Sequence, residues 1–141
     1  MNEGWCGDDY FVLFSEDEVE SASSRYNIGA AIPGHQIVAL VGWDDFILRN
    51  ESGSTFRVPT APLSSTLATP YIIPAFREPL LEDSRFTGKV KWYVQPIAFD
   101  GNPTEPTNTI WITHGEHAQL VNWWNRLWRD VHSAPGRLTK G

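Results

Sequence analysis

The chain has 141 residues, 41% of them apolar and 13% aromatic, and its 17 acidic side chains outnumber 11 basic ones for a formal charge of −6. This length fits one folded domain, and so apolar and aromatic a composition excludes a disordered chain. The negative balance opposes binding along a phosphate backbone, which needs clustered Lys and Arg, so nucleic acid is not an expected partner.

Cys6 is the single cysteine, which excludes an internal disulfide and a cysteine-based zinc site. The opening residues include Glu3, Asp8 and Asp9 and lack the basic-then-apolar pattern of a secretory signal. No apolar run reaches membrane-spanning length. The expectation is a cytoplasmic protein without membrane association, one domain over residues 1–141, frayed at about 1–10 and 134–141.

Ser15 followed by Glu16, Asp17 and Glu18 reads as an N-cap with acids in the first turn and Glu18 at the capping-box position. That pattern predicts a short helix from about Glu16 to Tyr26. No basic residue precedes Arg25, so Glu16, Asp17 and Glu18 also form a candidate acidic face for a cationic partner. Asn27, Gly29, Pro33 and Gly34 then break regular structure. Gln36 to Val41 reads as a strand, and Phe46 to Arg49 and Thr55 to Val58 bracket a turn at Asn50-Glu51-Ser52-Gly53. Period-two geometry puts Phe46 and Leu48 on one strand face and Phe56 and Val58 on the matching face of the next, so all four can enter one core.

Prolines at 59, 62, 70, 74 and 79 exclude a helix or a central strand there. Leu63, Leu67, Tyr71, Ile72, Ile73 and Phe76 lie among them, which predicts an ordered irregular wrap across the sheet. Lys89 to Val94 alternates strictly, as a half-buried strand does, and Thr109 to Ile112 adds a last short strand. Thr113 and Glu116 form a second capping-box pattern, after which His117, Leu120, Val121, Trp124, Leu127, Trp128 and Val131 share one apolar arc. Trp123 sits on its shoulder, and Pro135 and Gly136 stop the helix. The elements together define an α+β fold: a mostly antiparallel sheet of about five or six strands, a short N-terminal helix and a long C-terminal amphipathic helix packed on the sheet.

His114, Glu116 and His117 are the one cluster with metal-ligand spacing, since imidazoles three apart on a helix can face one ion. The His-Glu-x-x-His helix of zinc proteases and the Pro-Cys-x-x-Cys of deaminases are both missing. Glu116 is accounted for as a cap and His117 as a hydrogen-bonded core residue, so no metal or other cofactor is assigned. A small metal-dependent hydrolase at these three residues stands as the alternative, as does a structural or assembly protein. Gly42-Trp43-Asp44-Asp45 sets two carboxylates beside an indole between two strands. Adjacent residues at a strand start point to opposite sides, which does not suit the paired carboxyls of a glycosidase. The expectation there is Trp43 in the core and the two acids at a turn, available to a basic partner. No Gly-x-Ser-x-Gly and no phosphate-binding loop occur, so no catalytic residue is assigned. Trp123 and Trp124 cannot both occupy the centre of one buried face, which sends Trp123 to an edge.

Tyr26-Asn27-Ile28-Gly29 through Ile32-Pro33-Gly34, Val38 to Val41, Gly42-Trp43-Asp44-Asp45, Gly53 and Phe56-Arg57-Val58-Pro59 resemble the SUKH superfamily of small bacterial proteins. A second similar patch comprises Pro96-Ile97, Gly101-Asn102-Pro103, Asn108, Trp111 and Trp123-Trp124-Asn125. The leucine-proline-x-x-tyrosine helix and asparagine-glycine turn usual in that family are missing. The resemblance implies an α+β domain without catalytic residues, and many such proteins look like immunity proteins that neutralise a toxin by binding it. The resulting expectation is a non-enzymatic module for a protein partner, a basic toxin. Its contacts would lie at Asp44, Asp45, Glu16, Asp17 and Glu18, with Trp43 or Trp123 as aromatic anchor.

Overall fold

The computed structural model describes residues 1–76 and 79–133 and, for Ala98, His132 and Ser133, the backbone alone. Its elements in chain order are β1 (Asn2–Cys6), β2 (Asp9–Leu13), α1 (Glu16–Arg25), α2 (Ile28–Ala31), β3 (His35–Val41), β4 (Asp45–Asn50), β5 (Thr55–Pro59), β6 (Thr69–Pro70), β7 (Lys89–Tyr93), β8 (Thr109–Thr113) and α3 (His114–Ser133). β1 to β6 form one antiparallel meander in sequence order, and β7 and β8 form a separate antiparallel pair. The fold is α+β, with short N-terminal helices and a long C-terminal helix. No helix among the described residues is long and apolar enough to cross a membrane.

Both faces of the meander are covered because its strands alternate. Tyr10 and Val12 of β2, Phe46 and Leu48 of β4 and Val58 of β5 point to one face. There they meet Ala22, Tyr26 and Ile28 from the helical segment, Val90, Trp92 and Ile112 from the second sheet, and Ala118 and Val121 of α3. Phe11 and Ile47 point the other way and are covered by Leu80, Tyr71, Ile73 and Phe76. The expected wrap of the proline-rich stretch is therefore the lid of the second core. A bulge in β3 falls between Ile37 and Ala39, and it puts Val38 and Ala39 on the same side while Ile37 and Leu40 share the other. The Ile37 N–H, next to the irregularity, donates to the Ser23 hydroxyl of α1 at 2.9 Å, which ties the helix to the sheet.

Three expectations need correction. The amino terminus is not frayed: β1 pairs with β2 along its length and meets Leu81 through Trp5. Glu3 helps to hold it there, because the residue is 5% exposed and its carboxylate accepts hydrogen bonds from the Tyr10 hydroxyl (2.7 Å) and the Gly88 N–H (3.0 Å). The strands at 89–93 and 109–113 lie outside the main sheet, whose six members are completed by β1, β2 and β6. Phe56 is half-buried at the sheet margin, where it packs on His35, and is not a full core residue. The expected fraying of 134–141 falls outside the described residues.

Both capping boxes form as the spacing requires, with the Ser15 N–H donating to Glu18 (2.9 Å) and Thr113 and Glu116 bonding reciprocally (3.0 and 3.1 Å). Along α3 the apolar arc is buried at His117 and Val121, half-buried at Leu120, Trp124, Leu127 and Trp128, and exposed at Val131. His117 has no exposed surface, and its Nδ1 shares a hydrogen bond of 2.6 Å with the Tyr26 hydroxyl. Burial pushes the His117 imidazole down from 6.5 to about 3, and burial lowers His114 as well. Between those limits the unfolded chain binds a proton that folded His117 refuses. The contribution is therefore fully present above pH 6.5 and is lost as the pH falls below it, by an amount on the order of a few kcal/mol. Asp44, raised towards 6, works with the opposite sign over part of the window. Thermal unfolding followed from pH 7 to pH 4.5 should show a falling midpoint, and a His117→Leu variant should flatten that slope. An unchanged slope in the variant would exclude His117 as the titrating group.

Candidate binding site

The turn joining β3 to β4 is Gly42, Trp43 and Asp44, closed by the pairing of Val41 with Asp45. Gly42 and Trp43 both have left-handed backbone, with φ of 59° and 63°. Glycine adopts that conformation freely, but at a tryptophan it costs on the order of 1–3 kcal/mol. What holds it is the ring. The Trp43 indole is 8% exposed, stacks on Tyr10 at 4.7 Å, and is met edge-on by Trp5 (5.9 Å), Phe86 (5.5 Å) and Trp111 (5.0 Å). Burial of a side chain this large is worth more than the strain, even though its Nε1 has no hydrogen-bond partner among the described residues. The turn is thus anchored from inside.

A second segment is locked to this turn by α3. Asn125 is 4% exposed, donates to the Thr60 carbonyl (2.9 Å) and accepts from the Leu63 N–H (2.8 Å), while the Thr60 N–H donates to the Asp44 carbonyl (3.0 Å). One chain of hydrogen bonds therefore runs from α3 through residues 60–63 to the acidic turn. The third wall follows β7. Asn108 accepts from the Gln95 N–H (2.7 Å) and donates to the Gln95 carbonyl (3.0 Å), and Gly101 lies where any Cβ would collide with that carbonyl. Between these walls lies a pocket of about 330 Å³ bounded by Pro59, Pro62, Trp92, Tyr93, Pro96 and Ile97, with Asp44 and Asp45 the charged residues on its lining.

The two carboxylates differ. Asp45 is paired with the Arg57 guanidinium, whose Nε donates to it at 2.6 Å. The Asp44 carboxylate has no hydrogen-bond or ion-pair partner at contact distance among the described residues. Partial desolvation pushes it up to about 6; Lys91 and Arg57 pull it down and Asp45 pushes it up. The residue stays accessible to solvent at the pocket mouth, so the crowding is one-sided. The Lys91 ammonium lies instead over the Tyr93 ring, 5.1 Å from its centre.

The other acidic candidates are not brought to this place. Glu16 is paired with Arg49 (2.6 and 3.0 Å), near the end of β4 remote from Asp45, and roughly 13 Å of strand separates Arg49 from Asp45. Glu18 caps α1 and meets the amino-terminal ammonium at 2.7 Å, which holds its carboxyl down at about 2. Asp17 is exposed. Trp43 offers no surface to a partner, whereas Trp123 is 53% exposed and stands edge-on to Trp124 at 4.8 Å, off the pocket lining.

At the alternative metal cluster, Glu116 is engaged with Thr113 and His117 with Tyr26. The Nε2 atoms of His114 and His117 are buried without hydrogen-bond partners, but among the described residues no three His, Cys, Asp or Glu are gathered to hold an ion. Reading the residues for chemistry missed Asn125, Thr60 and Trp92. Asn125 carried a signal, since it lies four residues beyond Val121 on the buried side of α3, and a polar residue there needs buried partners.

Comparison with protein-family models, curated proteins and solved structures gives no match.

Replacing Asn125 by Leu leaves the Thr60 carbonyl and the Leu63 N–H unpaired in the interior. Denaturant unfolding should show a loss of roughly 2–4 kcal/mol. A loss below about 0.5 kcal/mol would mean that water or a rearranged segment satisfies both groups.

Proposed function

We propose that the chain is a non-enzymatic protein-binding module of the immunity type implied by its SUKH resemblance. It covers a basic toxin with the Asp44–Asp45 turn and the adjoining pocket, and it acts in the cytoplasm. The observation that carries this reading is Asp44, an accessible carboxylate without a hydrogen-bonding partner among the described residues, held at the mouth of an apolar pocket by a rigid turn. Such a combination suits recognition, because affinity comes from desolvated apolar contact and orientation from one fixed charge. The chain's net charge of −6 adds long-range steering of a cationic partner.

Further support comes from how the remaining polar groups are occupied. Glu116, His117, Glu3 and Glu18 each hold a piece of the fold. Glu18 is engaged at the start of α1 and Glu16 in an exposed ion pair with Arg49, so in this reading they and the exposed Asp17 add to the field of the surface.

Capture with a tagged chain, followed by identification of the bound protein and co-expression with it, tests the reading. The expected partner is basic, is toxic when expressed by itself, and is neutralised by this chain. Asp44→Lys with Asp45→Lys should abolish protection and reduce affinity at least tenfold, while the double variant stays folded. Glu18→Lys should instead lower the thermal midpoint and leave the affinity of the folded fraction intact. Full protection by the Asp44, Asp45 variant, or a partner that is toxic regardless of the chain, would overturn the proposal.

A further inference from the structure

We propose that the pocket beside Asp44 receives one lysine or arginine side chain projected by the partner protein. The inference deepens the binding role proposed above and rests on it. Three features of the pocket define the occupant. Its volume of about 330 Å³ admits a single long side chain and excludes a folded element. Its walls are prolines 59, 62 and 96 with Trp92, Tyr93 and Ile97, which suit an aliphatic stem. Its mouth carries a carboxylate that nothing in the described chain satisfies at contact distance.

The charges around that carboxylate sharpen the choice. Asp45 is neutralised by Arg57, and Lys91, the other cation near Asp44, lies over Tyr93 without reaching Asp44 at hydrogen-bond distance. An incoming ammonium or guanidinium would therefore find one unengaged acceptor, which it would bind by a charge-assisted hydrogen bond. A neutral apolar side chain would fill the walls but strand the carboxylate, and an anionic one would be repelled by it. The Asn125–Thr60–Asp44 hydrogen bonds keep wall and carboxylate in register before the partner arrives, which lowers the ordering cost of binding.

The test uses the whole chain and three blocked tripeptides, Gly-Lys-Gly, Gly-Arg-Gly and Gly-norleucine-Gly, followed by amide and indole NMR shifts. Saturable shifts at Thr60, Ala61, Tyr93 and the Trp92 indole are expected with the lysine or arginine peptide, at concentrations at least tenfold lower than with norleucine. Asp44→Asn should bring the cationic peptides down to the norleucine level with a thermal midpoint at neutral pH that does not fall, since it removes a partly desolvated charge. Glu51→Gln, an exposed acid at the far end of β4, should change nothing. Equal binding of norleucine, full cationic binding by Asp44→Asn, or the lack of any pocket shift would overturn the proposal. The two claims fail separately. Protection lost on reversal of Asp44 and Asp45 while the peptides do not bind removes the occupant alone. Protection that survives that reversal while the peptides bind removes the immunity role alone.

Discussion

The left-handed backbone at Trp43 is the constraint on which the rest of the structure turns. A tryptophan adopts it only where burial of the ring outweighs the strain, and the ring is enclosed by residues from three separate parts of the chain: Trp5 and Tyr10 of the amino-terminal hairpin, Phe86 of the turn before β7, and Trp111 of β8. The same contacts join the six-stranded meander to the smaller sheet. Loosening this aromatic centre would therefore free the turn, separate the two sheets and release Asp44 together. Asn125 completes the arrangement from α3, since its two hydrogen bonds fix the segment whose Thr60 N–H reaches the Asp44 carbonyl.

Charge in this molecule divides by whether a carboxylate has a partner. Glu3, Glu16, Glu18 and Asp45 are each engaged, by a phenol and a backbone amide, by Arg49, by the chain terminus and a capping amide, and by Arg57. They fix geometry. Asp44 is held close to cations without contacting them. The interior follows the opposite logic: His117 sits where protonation is strongly opposed, and Tyr26 rather than a carboxylate meets it, so α3 packs through a neutral pair.

What could be read from the sequence was local. Ser15 with Glu18 and Thr113 with Glu116 are spaced within one helical turn, so the caps needed no knowledge of the fold. The strand from Gln36 to Val41 showed itself by its run of Ile, Val and Leu, and those at 46–49 and 55–58 by period-two placement of their apolar residues. The amino-terminal hairpin stayed hidden because Glu3, Asp8 and Asp9 look solvated, and the partner that buries Glu3 from the far side is the backbone of Gly88. The separation of β7 and β8 from the main sheet was hidden for the same reason, since either placement satisfies the alternation of Lys89 to Tyr93. At the site, Asp44 and Asp45 were visible as an acid pair beside Trp43. That Asp45 is neutralised by Arg57 is a fact of tertiary contact, and the helix period marks Asn125 as a polar residue on the buried side of α3 without naming Thr60 and Leu63 as its partners. The helix acids drew attention by their number, and two of the three have partners within the chain, Glu16 in an exposed pair with Arg49 and Glu18 at the start of α1.

Hydrogen exchange of the chain alone and bound to its captured partner tests most directly whether the rigid acidic turn is where recognition happens. The account predicts slow exchange at residues 42–45 and 59–63 already in the free chain, with added protection on binding confined to those residues and to 92–97. Protection centred on α1 at 16–25 or on the exposed face of α3 around Trp123, with the turn unchanged, would contradict it.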